Sequence, residues 1–289
     1  MSIWNTVLRR GASRAKEYPD QQGRLGPHKQ TRVNPLQIAQ GTDVGRARGQ
    51  NEDAFFTLKA LIGPKPSSNP VGVVMVADGM GGHALGGQAS STAVRVASGI
   101  LIREILLPLI DDEAADTQRR PIQEILTEAT QSANRSLCRM EADTGTTLTS
   151  VLIADHSAYV AHVGDCRVYY LADGKAEQIT RDHSLVRRLV DLGEISPQEA
   201  LSHPQRNLLY RALGQEVDLE VDTYFRRLAK GSCLVVCSDG LWNNVSQEEM
   251  SEVIAEAPTP QEACNRLIDR ANDVGGEDNI TIVLALINY

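Results

Sequence analysis

The chain has 289 residues, 42% of them apolar, and 37 acidic against 29 basic side chains leave a formal charge of −8. That apolar content suffices for a substantial core and excludes wholesale disorder, while the acidic balance disfavours a nucleic-acid binder, which needs a basic footprint. No apolar run approaches the ~20 residues of a membrane-spanning helix, and the N-terminus lacks the basic-then-apolar order of a secretory signal, so a cytoplasmic protein without a transmembrane segment is expected.

The charge is unevenly placed. Residues 1–33 hold seven Lys/Arg against Glu17 and Asp20, a net +5, which leaves −13 on the other 256 residues. The segment is rich in Arg, Gln, Gly and Pro without a sustained apolar period, which predicts a flexible basic tail. Its start, Ile3-Trp4 through Val7-Leu8 before Arg9-Arg10, offers contact with an anionic membrane or a partner as the alternative. From Ile38 onward the chain changes character, and residues 34–289 are expected to form one folded domain.

Val71 to Ala77 is apolar apart from Gly72 and reads as a buried strand. Gln88 to Leu109 has helical composition, and Ile122 to Glu141 repeats apolar residues at spacings of three and four. Strands follow at Thr146 to Ala154, Ala158 to Val163, Val168 to Leu171 and Glu177 to Thr180. Their connections, Asp155-His156-Ser157 and Asp173-Gly174, are short and turn-like, as in an antiparallel meander. Residues 183–214 lose strand character, with a helix around Leu185 to Leu192 and a second start at Ser196-Pro197-Gln198-Glu199. Strands return at Val221 to Leu228, Cys233 to Ser238 and Asn279 to Ile287, with helices at Gln247 to Ala257 and Pro260 to Asp273. Hairpins beside helices that join distant strands predict a layered α+β fold. Cys233 and Cys237, four strand residues or ~13 Å apart, are too distant for a bridge and read as buried free thiols.

Four acidic clusters lie where strands meet glycine-containing turns: Arg48 to Asp53, Asp78-Gly79-Met80-Gly81-Gly82-His83, Ser238-Asp239-Gly240, and Gly275 to Asn279. Singly, each reads as a turn. An ionised Asp buried without a partner is costly, and repetition of the arrangement at Asp78, Asp239 and Asp278 calls for a shared cation. Carboxylates with water and a backbone carbonyl suit Mg²⁺ or Mn²⁺, not a thiolate zinc site. The glycines let backbone approach an ion closely, and the Gly79 carbonyl is a candidate ligand.

In this order the motifs resemble the metal-dependent Ser/Thr protein phosphatases of the PPM, or type 2C, family, over roughly Ile38 to Leu286. Arg48 to Phe55, Asp78 to Ser90, Gly145 to Leu148, Gly164 to Arg167, Ser238 to Leu241 and Gly275 to Thr281 carry the likeness, and Asp78 to His83 is similar to the bacterial branch. The resemblance implies a four-layer α-β-β-α sandwich of two antiparallel sheets flanked by helices. It implies phosphoserine and phosphothreonine hydrolysis by a water bridging two Mn²⁺ or Mg²⁺ ions, with proteins phosphorylated by Ser/Thr kinases as substrates. By position, Asp78 would bridge the metals, with Glu52 and Gly79 on one side and Asp239 and Asp278 on the other. Asp53 would bind metal-held waters, and Asn279 would orient ligands or water. Arg48 would grip the phosphate by a charge-assisted fork. Asp143 would hold a third, weaker metal with Asp239.

The chain departs from animal members at Met80, where they carry a histidine proposed as general acid. His83 or a metal-bound water is the replacement, with a packing or capping role as the alternative for His83. Asp165, Cys166 and Arg167 are taken as scaffold. Residues 183–214 match a flap beside the active site of bacterial relatives, where His183, His203 and Arg206 are either substrate contacts or solvated loop residues. Two other readings compete: an inactive phosphoprotein-binding regulatory module, which should lack a ligand or Arg48 and here lacks none, and a hydrolase of small phosphate esters. Nothing demands more than a monomer.

Overall fold

The computed structural model describes residues 34–61, 70–81, 85–110, 120–140 and 144–288. The expected tail, His83 and Asp143 lie outside the described residues. Two five-stranded sheets stack face to face. The first has the order β10 (Asp222–Arg227), β7 (Ser157–Val163), β6 (Leu148–Ala154), β3 (Pro70–Ala77), β2 (Ala54–Leu61). The second runs β1 (Leu36–Asp43), β12 (Ile280–Ile287), β11 (Cys233–Cys237), β8 (Arg167–Ala172), β9 (Lys175–Gln178). Every pairing in both sheets is antiparallel.

Three apolar layers hold these sheets. Val74, Val76, Val151, Val160, Val236 and Val283 meet in the interface between the sheets. The outer face of the first sheet packs through Val73, Met75 and Leu152 onto α1 (Leu85–Leu101) and α2 (Ile122–Cys138). The outer face of the second packs through Val235, Ile282 and Leu284 onto α6 (Gln247–Glu256) and α7 (Pro260–Val274). β3, β11 and β12 are buried along their whole length, as strands covered on both faces must be, so their apolar runs are continuous instead of alternating. The result is the expected α-β-β-α sandwich.

Local differences from the sequence reading have physical causes. The first helix does not run regularly to Leu109: it widens into a π-turn at Ile102–Leu106, where the Leu107 N–H reaches the Ile102 carbonyl. Pro108 follows directly; it has no N–H and crowds the carbonyl four residues back, which an α-helical turn cannot accommodate. The strand expected from Thr146 is two pieces, because β5 (Thr144–Thr146) leaves the main sheet to pair with β4 (Gly79–Gly81). The two turns behave as expected: Asp155 and His156, then Asp173 and Gly174, take positive φ in succession, the conformation that closes two-residue hairpins.

Among the described residues there are also short helices: α3 (Leu185–Asp191) and α4 (Pro197–Leu201) in the flap, and α5 (Asp239–Trp242) after β11. The flap is pinned at its base, where Leu185 N–H donates to Leu208 O at 2.8 Å and Tyr210 N–H to His183 O at 2.9 Å. All five cysteines are free, four of them buried.

Candidate active site

At one end of the sandwich, strand ends from both sheets open onto a cavity of about 240 Å³. Arg48, Glu52, Asp78, Gly79, Asp239, Asp278 and Asn279 all line it, so seven of the sequence-derived site residues meet in one place. Asp53 stands behind this wall: Ser238 Oγ donates to its Oδ2 at 2.7 Å.

The backbone around Asp78 is fixed from β5 and β6. Thr147 Oγ1 accepts the Asp78 N–H at 2.8 Å, and Thr146 Oγ1 donates to the Asp78 carbonyl at 2.7 Å. The Gly145-Thr146-Thr147 motif is thus a brace for the first aspartate. Asn279 braces the other side with every polar atom of its side chain. Its Oδ1 accepts the Glu52 N–H at 2.8 Å, and its Nδ2 donates to the carbonyls of Val44 and Gln50 at 2.9 Å each. Asn279 therefore orients the Glu52 loop and has no donor left for a water.

The two Asp-Gly pairs are explained by close approach. A Cβ on Gly79 would lie 2.2 Å from the Gly86 carbonyl oxygen, and one on Gly240 would lie 2.1 Å from the Asn279 carbonyl oxygen. Neither position accepts a larger residue without moving another chain segment, so each glycine locks its neighbouring aspartate to a second part of the site.

The electrostatics are unbalanced. Burial, followed by the charges of Asp53 and Asp239, raises the Asp78 pKa well above the usual 3.8. Burial pushes Asp53 up to about 7, with the charges of Asp239 and Asp278 adding to it, although Thr281 and Ser238 donate to its carboxylate. Asp239 is raised to about 6 by burial and by Asp278. Against them stands Arg48, whose Nη2 pairs with Asp278 Oδ2 at 2.7 Å. Asp53 Oδ1 and Asp239 Oδ1 are buried with no hydrogen-bond partner. Buried oxygens of this kind are normally satisfied, and hard anionic oxygens without donors are what a divalent oxygen-seeking cation requires. Among the described residues no three acids yet close on one point as a finished chelate would; Asp278 is engaged by Arg48.

The sequence reading missed part of the wall. Asp165, taken there as scaffold, lines the cavity and is 6% exposed. Met80, Gly81 and Thr147 also line it, as do Asn207 and Leu209 from the flap. The position of Asp165 before a strand, like that of Asp278, was the available signal; Asn207 had none. Arg167 is scaffold as expected: it forks onto Asp182 and lies 3.5 Å over the Trp242 ring, whose N–H donates to Asp165 O. Of the three flap candidates, His183 is buried, accepting the Gly164 N–H at Nδ1 and facing Asp222 at 3.3 Å with Nε2, so it does not meet a substrate. His203 Nδ1 closes a local turn by accepting the Gln205 N–H. Arg206 is exposed, 3.6 Å from Glu277.

Comparison with known proteins places the chain in a family. The family model described as protein phosphatase 2C matches residues 46–272, and the chain belongs to that family. It is 40% identical over 243 residues to the serine/threonine phosphatase stp of Listeria monocytogenes, covering 84% of this chain and 92% of that protein. The crystal structure of the Mycobacterium tuberculosis serine/threonine phosphatase PstP/Ppp superposes with a TM-score of 0.71 at 35% identity, covering 88% of this chain and 99% of that one. A PstP catalytic domain in complex with two manganese ions gives 0.70 at 32% identity, over 88% and 99%.

Proposed function

We propose that the chain is a metal-dependent protein serine/threonine phosphatase, with phosphorylated proteins as its substrates and Mn²⁺ or Mg²⁺ as its cofactor. The observation that carries this reading is the buried acidic wall with orphaned oxygens on Asp53 and Asp239, joined to an arginine at the cavity mouth. Asp78, Asp239 and Asp278, with Glu52 and the Gly79 carbonyl, would hold the cations. Divalent ions bound there would supply charge neutralisation for the phosphoryl group and would lower the pKa of a bound water.

The chain's own residues supply the rest. Arg48 is half-exposed and only Nη2 is engaged, so its other N–H groups are free for phosphate oxygens. Asp53, held by Ser238, offers an acceptor to water at the back of the wall. Asn279 and Thr147 keep the acids in place. Met80 lines the cavity with a thioether and brings no proton, so the leaving oxygen takes its proton from water or from His83. Asp143 is proposed as a contributor, with Asp239, to a third cation site. The manganese-bound PstP relative supports the choice of metal. The small-ester reading differs only in substrate, and the relatives named as serine/threonine phosphatases favour proteins. No helix among the described residues is long and apolar enough to cross a membrane, which is compatible with a cytoplasmic enzyme.

The test is phosphate release from a phosphothreonine peptide with Mn²⁺, with and without chelator, for the native chain and Asp239→Asn. Activity abolished by chelator and reduced more than ~100-fold by the substitution is expected, since even residues behind the ligands of a metal site cost 10 to 100-fold. Activity that survives both would overturn the metal-dependent reading.

A further inference from the structure

The flap carries apolar surface that its own fold does not consume. Neither α3 nor α4 has a buried residue, and Leu192, Leu201, Leu208 and Tyr210 all stand exposed on this segment. Between its helices and α5 lies a second cavity of about 290 Å³, with Val186, Val190, Ala200, Leu201 and Trp242 in its walls and Arg206 at its edge. That volume is at the small end of ligand pockets, which run from ~300 Å³ upward; it suits one or two side chains.

The two cavities share their dividing walls at three places. Asn207 lines the first and Arg206 the second; Asp239 lines the first and Trp242 the second on one helical turn; Asp165 and Arg167 do the same on either side of Cys166. Consecutive Cα atoms are ~3.8 Å apart and an extended peptide advances ~3.3 Å per residue. A peptide with its phosphorylated side chain in the first cavity therefore has the second within reach of a few residues.

The chemistry of the second cavity selects its occupant. The charged wall residues Arg167 and Arg187 are matched with Asp182 at 2.7 Å and Asp191 at 3.1 Å, and Arg206 at the edge stands 3.6 Å from Glu277. A polar side chain entering there would exchange water for at most the uncharged Ser184, Gln198 and Asn243, whereas an apolar one gains burial against valine, alanine, leucine and indole.

We propose that this cavity receives an apolar side chain, of leucine, isoleucine, methionine or phenylalanine size, standing within three residues of the phosphorylated serine or threonine. The flap then sorts substrates by their hydrophobic neighbour. The inference rests on the phosphoprotein reading given above.

Phosphothreonine peptides in which leucine or serine occupies each position from three before to three after the phosphorylated residue provide the test. Each kcat/KM is divided by the same enzyme's value for p-nitrophenyl phosphate, which has no neighbouring residue to place. One position should favour leucine over serine by roughly ten-fold or more, the discrimination expected of an apolar pocket. Ala200→Phe, which fills the cavity, and Val190→Asp, which makes its wall polar, should each erase that preference, with melting temperatures reporting that the fold is intact. No preference at any position, or a preference that survives both substitutions, would overturn the inference. Turnover of p-nitrophenyl phosphate with no phosphopeptide hydrolysed would overturn the substrate class on which it rests.

Discussion

The catalytic cavity and the flap beside it are built on opposite terms. Around the cavity, acids are buried, glycines let backbones touch, and Asn279 and Thr147 tie segments from distant parts of the chain. The flap helices have no fully buried residue, are held by caps such as the Ser196 and Glu199 capping box, and are closed at the base where residues 183–185 pair with 208–210. The cavity spends packing precision on placing charge. The flap leaves apolar surface open to whatever passes. Damage in the first region should therefore reach both stability and turnover, and damage in the second should stay local.

The largest test of this contrast is Gly240→Ala. With only 2.1 Å between the new Cβ and the Asn279 carbonyl oxygen, overpacking should cost ~3 kcal/mol in chemical unfolding, with loss of phosphatase activity. A wild-type unfolding curve would break the claim that the cavity is locked. Next, Asn279→Ala removes three hydrogen bonds that hold the Glu52 loop. It should lower metal affinity or activity by about 10 to 100-fold, measured by Mn²⁺ titration and steady-state kinetics, while β12 keeps its pairing.

A third effect is pH dependence. Asp53 and Asp239 have folded pKa values raised to about 7 and about 6, so the folded chain holds protons that the unfolded chain releases near 4. Stability from those protons is present at low pH and lost as pH rises through 6 to 7. In chelator the melting temperature should increase as pH is lowered from 8 to 6.5, and with Mn²⁺ bound the increase should vanish. Below pH 6.5 His162 opposes this trend. Its pKa is lowered to about 4 by burial and by His183, so the stability it contributes is lost as pH falls from 6.5 toward 4. The smallest effect belongs to the flap: Ser196→Ala removes a cap worth ~1 kcal/mol. It should speed amide exchange in α4 without changing the hydrolysis of a small phosphate ester.

What was legible in the sequence follows from the range of the interactions. Asp78-Gly79, Asp239-Gly240 and Glu277-Asp278 announce themselves because an acid at a strand end beside glycine is a local pattern. β1 and β2 were not read, since Leu36 to Asp43 and Ala54 to Leu61 are half-buried and interrupted by polar residues; their identity as strands comes from pairing with β12 and β3. The Asp53 contact with Ser238 spans 185 positions, and the brace from Asn279 to Glu52 spans 227. No spacing rule reaches so far. Asn207 entered the cavity only because the flap folds back, and His183 left the surface because its ring fills the space between Gly164 and Asp222.

The central claim is that the acids of the cavity are a cation site and not a strained accident of the fold. Titration of the chelated protein with Mn²⁺ by calorimetry, for the native chain and Asp239→Asn, tests it most directly. The account predicts two tightly bound ions for the native chain, a rise in melting temperature on binding, and weakened binding for Asp239→Asn, whose chelated form is at least as stable as the native one because one repelling charge is gone. Absence of Mn²⁺ binding by the native chain, or equal binding by both, would contradict it.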